Sequence, residues 1–136
     1  SAIVLKKEFT DVKDLLCIDY TSAYSTPSLD KLVRTFVYDR QGKGSFTVGD
    51  EFTANAPIRF ETAITTQANW KIIDDTHLLL TTGTEQMTVT IEASGKVAFT
   101  SETIEVNSPA YTRIGISLKE QSKDGYIRLT MRTKQL

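Results

Sequence analysis

The sequence holds little with which to do chemistry. Its single cysteine, Cys17, permits no intrachain disulfide and no thiolate zinc site. It sits in the apolar run Leu15-Leu16-Cys17-Ile18 and reads as a small buried hydrophobe. With a single histidine, any metal centre or imidazole-dependent dyad has to be built around His77. There is no glycine-rich phosphate loop, no Gly-x-Ser-x-Gly elbow and no metal-ligand spacing, so no cofactor is expected. Neither sign of charge prevails: 16 Lys and Arg face 17 Asp and Glu, for a net charge of -1. A polyanion binder needs a basic surplus, so nucleic acid is not an expected partner. No apolar run nears the ~20 residues that span a bilayer. The longest, Leu78-Leu79-Leu80, is strand-sized. Helix signals are also scarce: Ser28-Leu29-Asp30-Lys31-Leu32 could open one turn, but Val33 to Tyr38 is β-branched and aromatic.

What is present is a globular composition, 40% hydrophobic over 136 residues, enough for one domain with an ordinary core. Threonine is abundant, and β-branched residues favour a pleated, half-buried surface. Polar and apolar residues alternate in 45–48, 59–65, 87–92, 103–106, 113–118 and 126–131. Such runs predict strands with one face on a core and one in water. Turn signals punctuate them: Asp39 to Gly44, Asp74-Asp75, Ala93 to Lys96, and the Asp124-Gly125 pair as a hairpin. Thr21 to Asp30 reads as a loop, and Asn55-Ala56-Pro57 and Asn107-Ser108-Pro109 as breaks. The pattern predicts an all-β antiparallel β-sandwich, a meander of about ten strands with essentially no helix.

Each polar or aromatic candidate has a structural explanation beside a functional one. Trp70 is able to serve as a sugar platform if exposed, but it shares a face with Ile72, which points to the core. Tyr20, Tyr24, Tyr38, Tyr111 and Tyr126 lie in or beside apolar runs and read as core or sheet-edge residues rather than acid/base groups. His77 follows Asp74-Asp75, and a solvated turn explains it better than a metal site. Asp50 and Glu51, adjacent on a strand, point to opposite faces and make no glycosidase pair. Glu61, Glu92, Glu102 and Glu105 lie opposite apolar neighbours and read as solvated. Arg34, Arg59, Arg113, Arg128 and Arg132 fall on polar strand faces. In a row they would grip sulfates or uronates; the preferred reading is cross-strand pairing with the glutamates. No catalytic, carbohydrate-binding or metal-ligating residue is assigned.

Three segments taken in order are more specific: 19–24 (Asp-Tyr-Thr-Ser-Ala-Tyr), 32–40 (Leu-Val-Arg-Thr-Phe-Val-Tyr-Asp-Arg) and 44–52 (Gly-Ser-Phe-Thr-Val-Gly-Asp-Glu-Phe). With Phe60-Glu61-Thr62, Trp70, Thr112-Arg113-Ile114 and 126–132, they resemble the closing strands of heparinase II/III-like polysaccharide lyases. The resemblance implies an α/α toroid joined to a large β-sandwich, cleaving acidic, uronate-containing glycans such as heparin by β-elimination. The acid/base Tyr and His and a structural metal belong to the toroid and earlier sandwich strands. Those motifs are absent here, so no catalytic residue carries over. The implied scaffold roles are an Arg34–Asp19 pair, an Arg40–Gly42–Gly44 hairpin and Asp50 pinning a strand end.

The chain is therefore expected to be a C-terminal supporting module, inactive alone. Its partners are the toroid and β-domain of a parent lyase that is periplasmic or secreted. Ser1-Ala2 reads as an arbitrary boundary, of a chain either processed or cut from something longer. The alternatives are a free carbohydrate-binding or adhesion module and a barrel-shaped small-molecule carrier.

Overall fold

The computed structural model describes residues 2–24, 26–105 and 109–134. Val106, Asn107 and Ser108, the end of one expected run and most of one expected break, lie outside the described residues, as does Ser1. Eleven strands and a single 3-10 turn, Thr21–Ala23, are found among the described residues. The strands are β1 (Ile3–Phe9), β2 (Lys13–Asp19), β3 (Leu29–Asp39), β4 (Ser45–Ile58), β5 (Glu61–Thr66), β6 (Asn69–Asp74), β7 (His77–Thr82), β8 (Glu85–Ala93), β9 (Val97–Ile104), β10 (Tyr111–Leu118) and β11 (Ser122–Lys134).

The expected antiparallel β-sandwich is the architecture found: two sheets, with strand orders β1-β2-β3-β4-β11-β8-β7-β6 and β5-β10-β9. The connectivity is richer than a meander. The chain leaves the large sheet after β4 to form β5, and again after β8 to form β9 and β10. It then returns as β11 between β4 and β8. That central place suits β11, whose Ile127 and Leu129 are buried.

Two turn expectations are corrected. Asp124-Gly125 is no hairpin turn; it lies inside β11, with Gly125 opposite Phe52. Glycine is required there by crowding, since a Cβ would stand 2.6 Å from Ser94 Oγ and 3.1 Å from Phe52 Cε1. Asn55-Ala56-Pro57 does not break the chain, because β4 runs on to Ile58. The β4–β11 register jumps from Thr53–Asp124 to Ile58–Ser122, so Pro57, which has no N–H, falls in the gap. The Arg40–Gly44 turn is as expected, with Gly42 and Gly44 at φ 61° and 83°.

The core lies between the small sheet and one half of the large one. Ile64, Ile114, Ile116 and Leu118 from β5 and β10 meet Leu32, Phe52, Leu78, Val89, Ile91, Ile127 and Leu129. Phe60, just before β5, stacks on Phe52 with centroids 4.6 Å apart. Trp70 packs against this cluster, as its alternation predicts, whereas Ile72 beside it is exposed. The small sheet is too narrow to cover the wing formed by β1, β2 and the ends of β3 and β4. Phe36 is therefore half-buried and stacks on exposed Phe46 at 6.3 Å. Cys17 is likewise half-buried, its Sγ 3.5 Å from Thr35 Oγ1.

Candidate functional site

On the outer face of the large sheet, away from the core, β3, β4 and β11 frame a trough of about 480 Å³. Its floor is Gly49, the register partner of both Thr35 and Arg128. The side chain of Arg128 lies across this glycine, with Cγ and Nε 3.7 and 3.8 Å from where a Cβ would stand. Its guanidinium sits 5.5 Å above the Tyr126 ring and 3.4 Å from Glu92 Oε2. Glu51 completes the rim opposite Tyr126. Arg128 is the cation of this trough and is shared with the Glu92 carboxylate, and the trough holds no nucleophile beside a base.

On the inner face, Arg34 and Asp50 are direct cross-strand partners. Arg34 Nε and Nη2 donate to the two carboxylate oxygens at 2.6 and 2.8 Å, and Asp50 is only 3% exposed. The hydrogen bonds to Asp50 raise the guanidinium pKa above its ordinary value. Arg34 also lies 5.5 Å over the Tyr20 ring.

This geometry corrects two expectations. Asp19 does not pair with Arg34: it is the register partner of Val33, whose side chain is on the other face. Its carboxylate accepts from Thr21 Oγ1 at 2.6 Å and Thr21 N–H at 2.8 Å, which lowers its pKa. Asp50 pins no strand end, because it stands within β4. The overlooked signal is Phe46-x-Val48-x-Asp50-x-Phe52, which places an acid on an apolar face and so demands a buried partner.

The expected Arg–Glu pairing is found for Arg128 with Glu92 and for Arg113 with Glu61, the latter at 2.9 Å. Arg40 pairs instead with Asp14 and lies 5.1 Å over Tyr38. Arg59, Arg132, Glu102 and Glu105 are exposed. His77 sits at the β6–β7 turn, where Nδ1 is 2.8 Å from Asp74 Oδ1 and 2.9 Å from Thr76 Oγ1. The Thr76 N–H, then His77, lower the Asp74 pKa. Among the described residues, no three His, Cys, Asp or Glu come together as a metal-binding group. Trp70 faces inward and Tyr126 outward, so they form no shared sugar platform. Tyr20 packs on the core, Tyr111 is half-buried, and Tyr24 and Tyr38 are exposed. No described helix is long and apolar enough to cross a membrane.

No family profile and no curated protein matches the sequence. Solved structures do. A heparinase III gene product with methylated lysines superposes with a TM-score of 0.73 at 12% identity, over 100% of this chain and 22% of that one. The chain folds like a segment of heparinase III. A mutant of heparan sulfate lyase HepC from Pedobacter heparinus gives a TM-score of 0.73 at 14% identity, over 100% and 22% of the two chains. A further crystal structure of heparinase III gives 0.67 at 17%, over 96% and 21%. The chain thus spans about one fifth of the length of the heparinase III structures it matches. Within that fold, β11 forms the middle of the large sheet and presents Tyr126 and Arg128 on its outer face.

Proposed function

We propose that this chain is the supporting C-terminal β-sandwich module of a heparinase II/III-like polysaccharide lyase. The parent protein, secreted or periplasmic, acts on acidic, uronate-containing glycans by β-elimination. The observation that carries this reading is the superposition of the whole chain on one fifth of heparinase III at a TM-score of 0.73. The side chains agree with a supporting role. Arg34, Arg113 and Arg128 are tied to carboxylates of neighbouring strands. In this reading the toroid and preceding β-domain neutralise the uronate carboxylate, take the C5 proton and protonate the leaving oxygen. The present chain acts through them by holding the sandwich in shape.

The test is absorbance of the unsaturated product on heparan sulfate, heparin and alginate. The full-length protein is expected to turn over at least one of them, and the 136-residue chain none. Turnover by the 136-residue chain, or none by the full-length protein, contradicts the proposal. A second reading, glycan binding by the module itself, is favoured by the trough over Gly49, where Tyr126, Arg128 and threonine hydroxyls meet. In that case calorimetric binding of heparan sulfate to the full-length protein drops on Arg128→Ala and persists on Trp70→Ala.

A further inference from the structure

Sheet edges expose unpaired backbone groups, and proteins blunt them with charges and bulges. The edges of the large sheet are blunted in this way. β1 carries Lys6, Lys7 and Glu8 and a register shift between Val4 and Lys6. β6 carries Lys71 and Asp74 and a shift between Ile72 and Asp74. In the small sheet, β5 is an edge strand with neither device between Thr62 and Thr66, and its pairing with β10 is regular throughout. Leu118 N–H donates to Phe60 C=O at 2.9 Å. By the alternation of an antiparallel ladder, Thr62 and Ile64 also turn their backbone groups to β10, and Glu61, Ala63 and Thr65 turn theirs outward.

Beside this open edge lies a largely apolar shelf that also carries Arg34 and the Asp14–Arg40 pair. β5 shares a cavity of about 340 Å³ with Phe36, Val48 and Met131 of the large sheet. Cross-strand register lines up Phe9, Asp14, Tyr38, Phe46 and Met131 across five strands. Phe9 is 67% exposed and Tyr38 47%. At the other small-sheet edge, the cavity at the start of β9 is lined by Ile91, Ala93 and Val97 but rimmed by Asp75, Lys96 and Lys119.

We propose that β5 is extended by a further β-strand supplied by the remainder of the longer protein. The occupant is an alternating apolar segment. Its backbone pairs with Ala63 and Thr65, and its apolar side chains cover Phe36, Phe46 and Met131. This rests on the lyase-module reading, since it is the heparinase III likeness, covering 22% of that chain, that implies a remainder able to supply the strand. The edge supplies hydrogen bonds and the shelf supplies burial, the two components of strand addition.

The test is amide exchange, resolved to single residues, on the full-length protein. Ala63 and Thr65 are expected to exchange as slowly as Ile64, roughly 100-fold slower than open-edge amides. Phe46→Lys, a change at an exposed position, should restore fast exchange at Ala63 and Thr65 and leave Ile114 slow. Thr65→Pro should do the same at Ala63, because it removes an outward N–H and spares the β10 ladder. Fast exchange at Ala63 and Thr65 in the unaltered protein overturns the proposal. So does protection lost on dilution to monomer, which would make a second copy the occupant. Lyase activity measured on the same sample separates the two readings: an inactive protein with a protected β5 retires only the lyase assignment, and an active one with an open β5 retires only the added strand.

Discussion

Arg34 and Asp50 face each other directly across β3 and β4, joined by two hydrogen bonds of 2.6 and 2.8 Å beside the hydrophobic core. Asp50 is almost wholly buried, and Arg34 retains some contact with water. Removing one partner leaves the other with an uncompensated charge, whereas replacing both with apolar residues leaves none. Arg34→Leu should therefore cost about 2–4 kcal/mol in urea unfolding. The double change Arg34→Leu with Asp50→Leu should recover at least half of that loss. Equal losses in the single and double variants would show that the pair is not coupled.

Asp19 and Asp74 both hold their carboxyl pKa below the ordinary value, Asp19 through the Thr21 hydroxyl and N–H, Asp74 through the Thr76 N–H and then His77. A depressed folded-state pKa stabilises the fold above the unfolded-state value, near 4 for aspartate. That contribution fades as pH falls through the folded value. Thermal unfolding of the unaltered protein should lose midpoint steadily below about pH 4. In Asp19→Asn the loss should be shallower over the same range. A parallel pair of curves would count against Asp19 as a source of the slope.

The two crowded glycines should respond differently to alanine. At Gly125 a new methyl meets Phe52 Cε1 at 3.1 Å and Leu118 Cδ1 at 3.2 Å, both in the core, and Ser94 Oγ at 2.6 Å. Overpacking of this kind costs about 1–3 kcal/mol. At Gly115 the contacts are Thr100 Oγ1 at 2.5 Å and Glu61 Oε1 at 2.6 Å, the ends of side chains that are able to swing into solvent. Gly115→Ala should cost less than Gly125→Ala in chemical denaturation, and should displace Glu61 from Arg113.

Phe52 and Phe36 offer a measure of how far the core extends. Phe52 is fully buried and stacked on Phe60, so Phe52→Ala should cost about 3–5 kcal/mol. Phe36 lies on the uncovered wing and is half-buried, so Phe36→Ala should cost about half as much in this chain. The denaturant midpoints of the two variants check the order, and a reversed order would mean that the wing, not the inter-sheet space, carries the core.

The candidate sites were partly legible. Alternation around Asp50 and Glu51 puts them on opposite faces, and the structure agrees. Arg128 and Glu92 were readable as polar-face residues, and register makes them neighbours. What misled was local chemistry read without tertiary context. Asp124-Gly125 carries a turn signal, yet the glycine answers to Phe52 and Ser94, which are distant in sequence. Gly49 carries no signal of a trough, because its role depends on an arginine from β11.

Taken alone, the sequence determined that the chain is built of strands, though not where each one ends, since Asn55-Ala56-Pro57 and Asp124-Gly125 carry break signals inside β4 and β11. Period-two alternation of Val, Ile, Thr and Phe compels strands with a dry face and a wet one, and sparse helix signals leave a sandwich as the way to bury the dry faces. Only the tertiary structure decided which strands meet. Side-chain alternation is a local property and is satisfied equally by any antiparallel neighbour. Partner choice depends on contacts far apart in the chain: β11 slotting between β4 and β8, Asp50 finding Arg34, and a three-stranded sheet covering only part of an eight-stranded one.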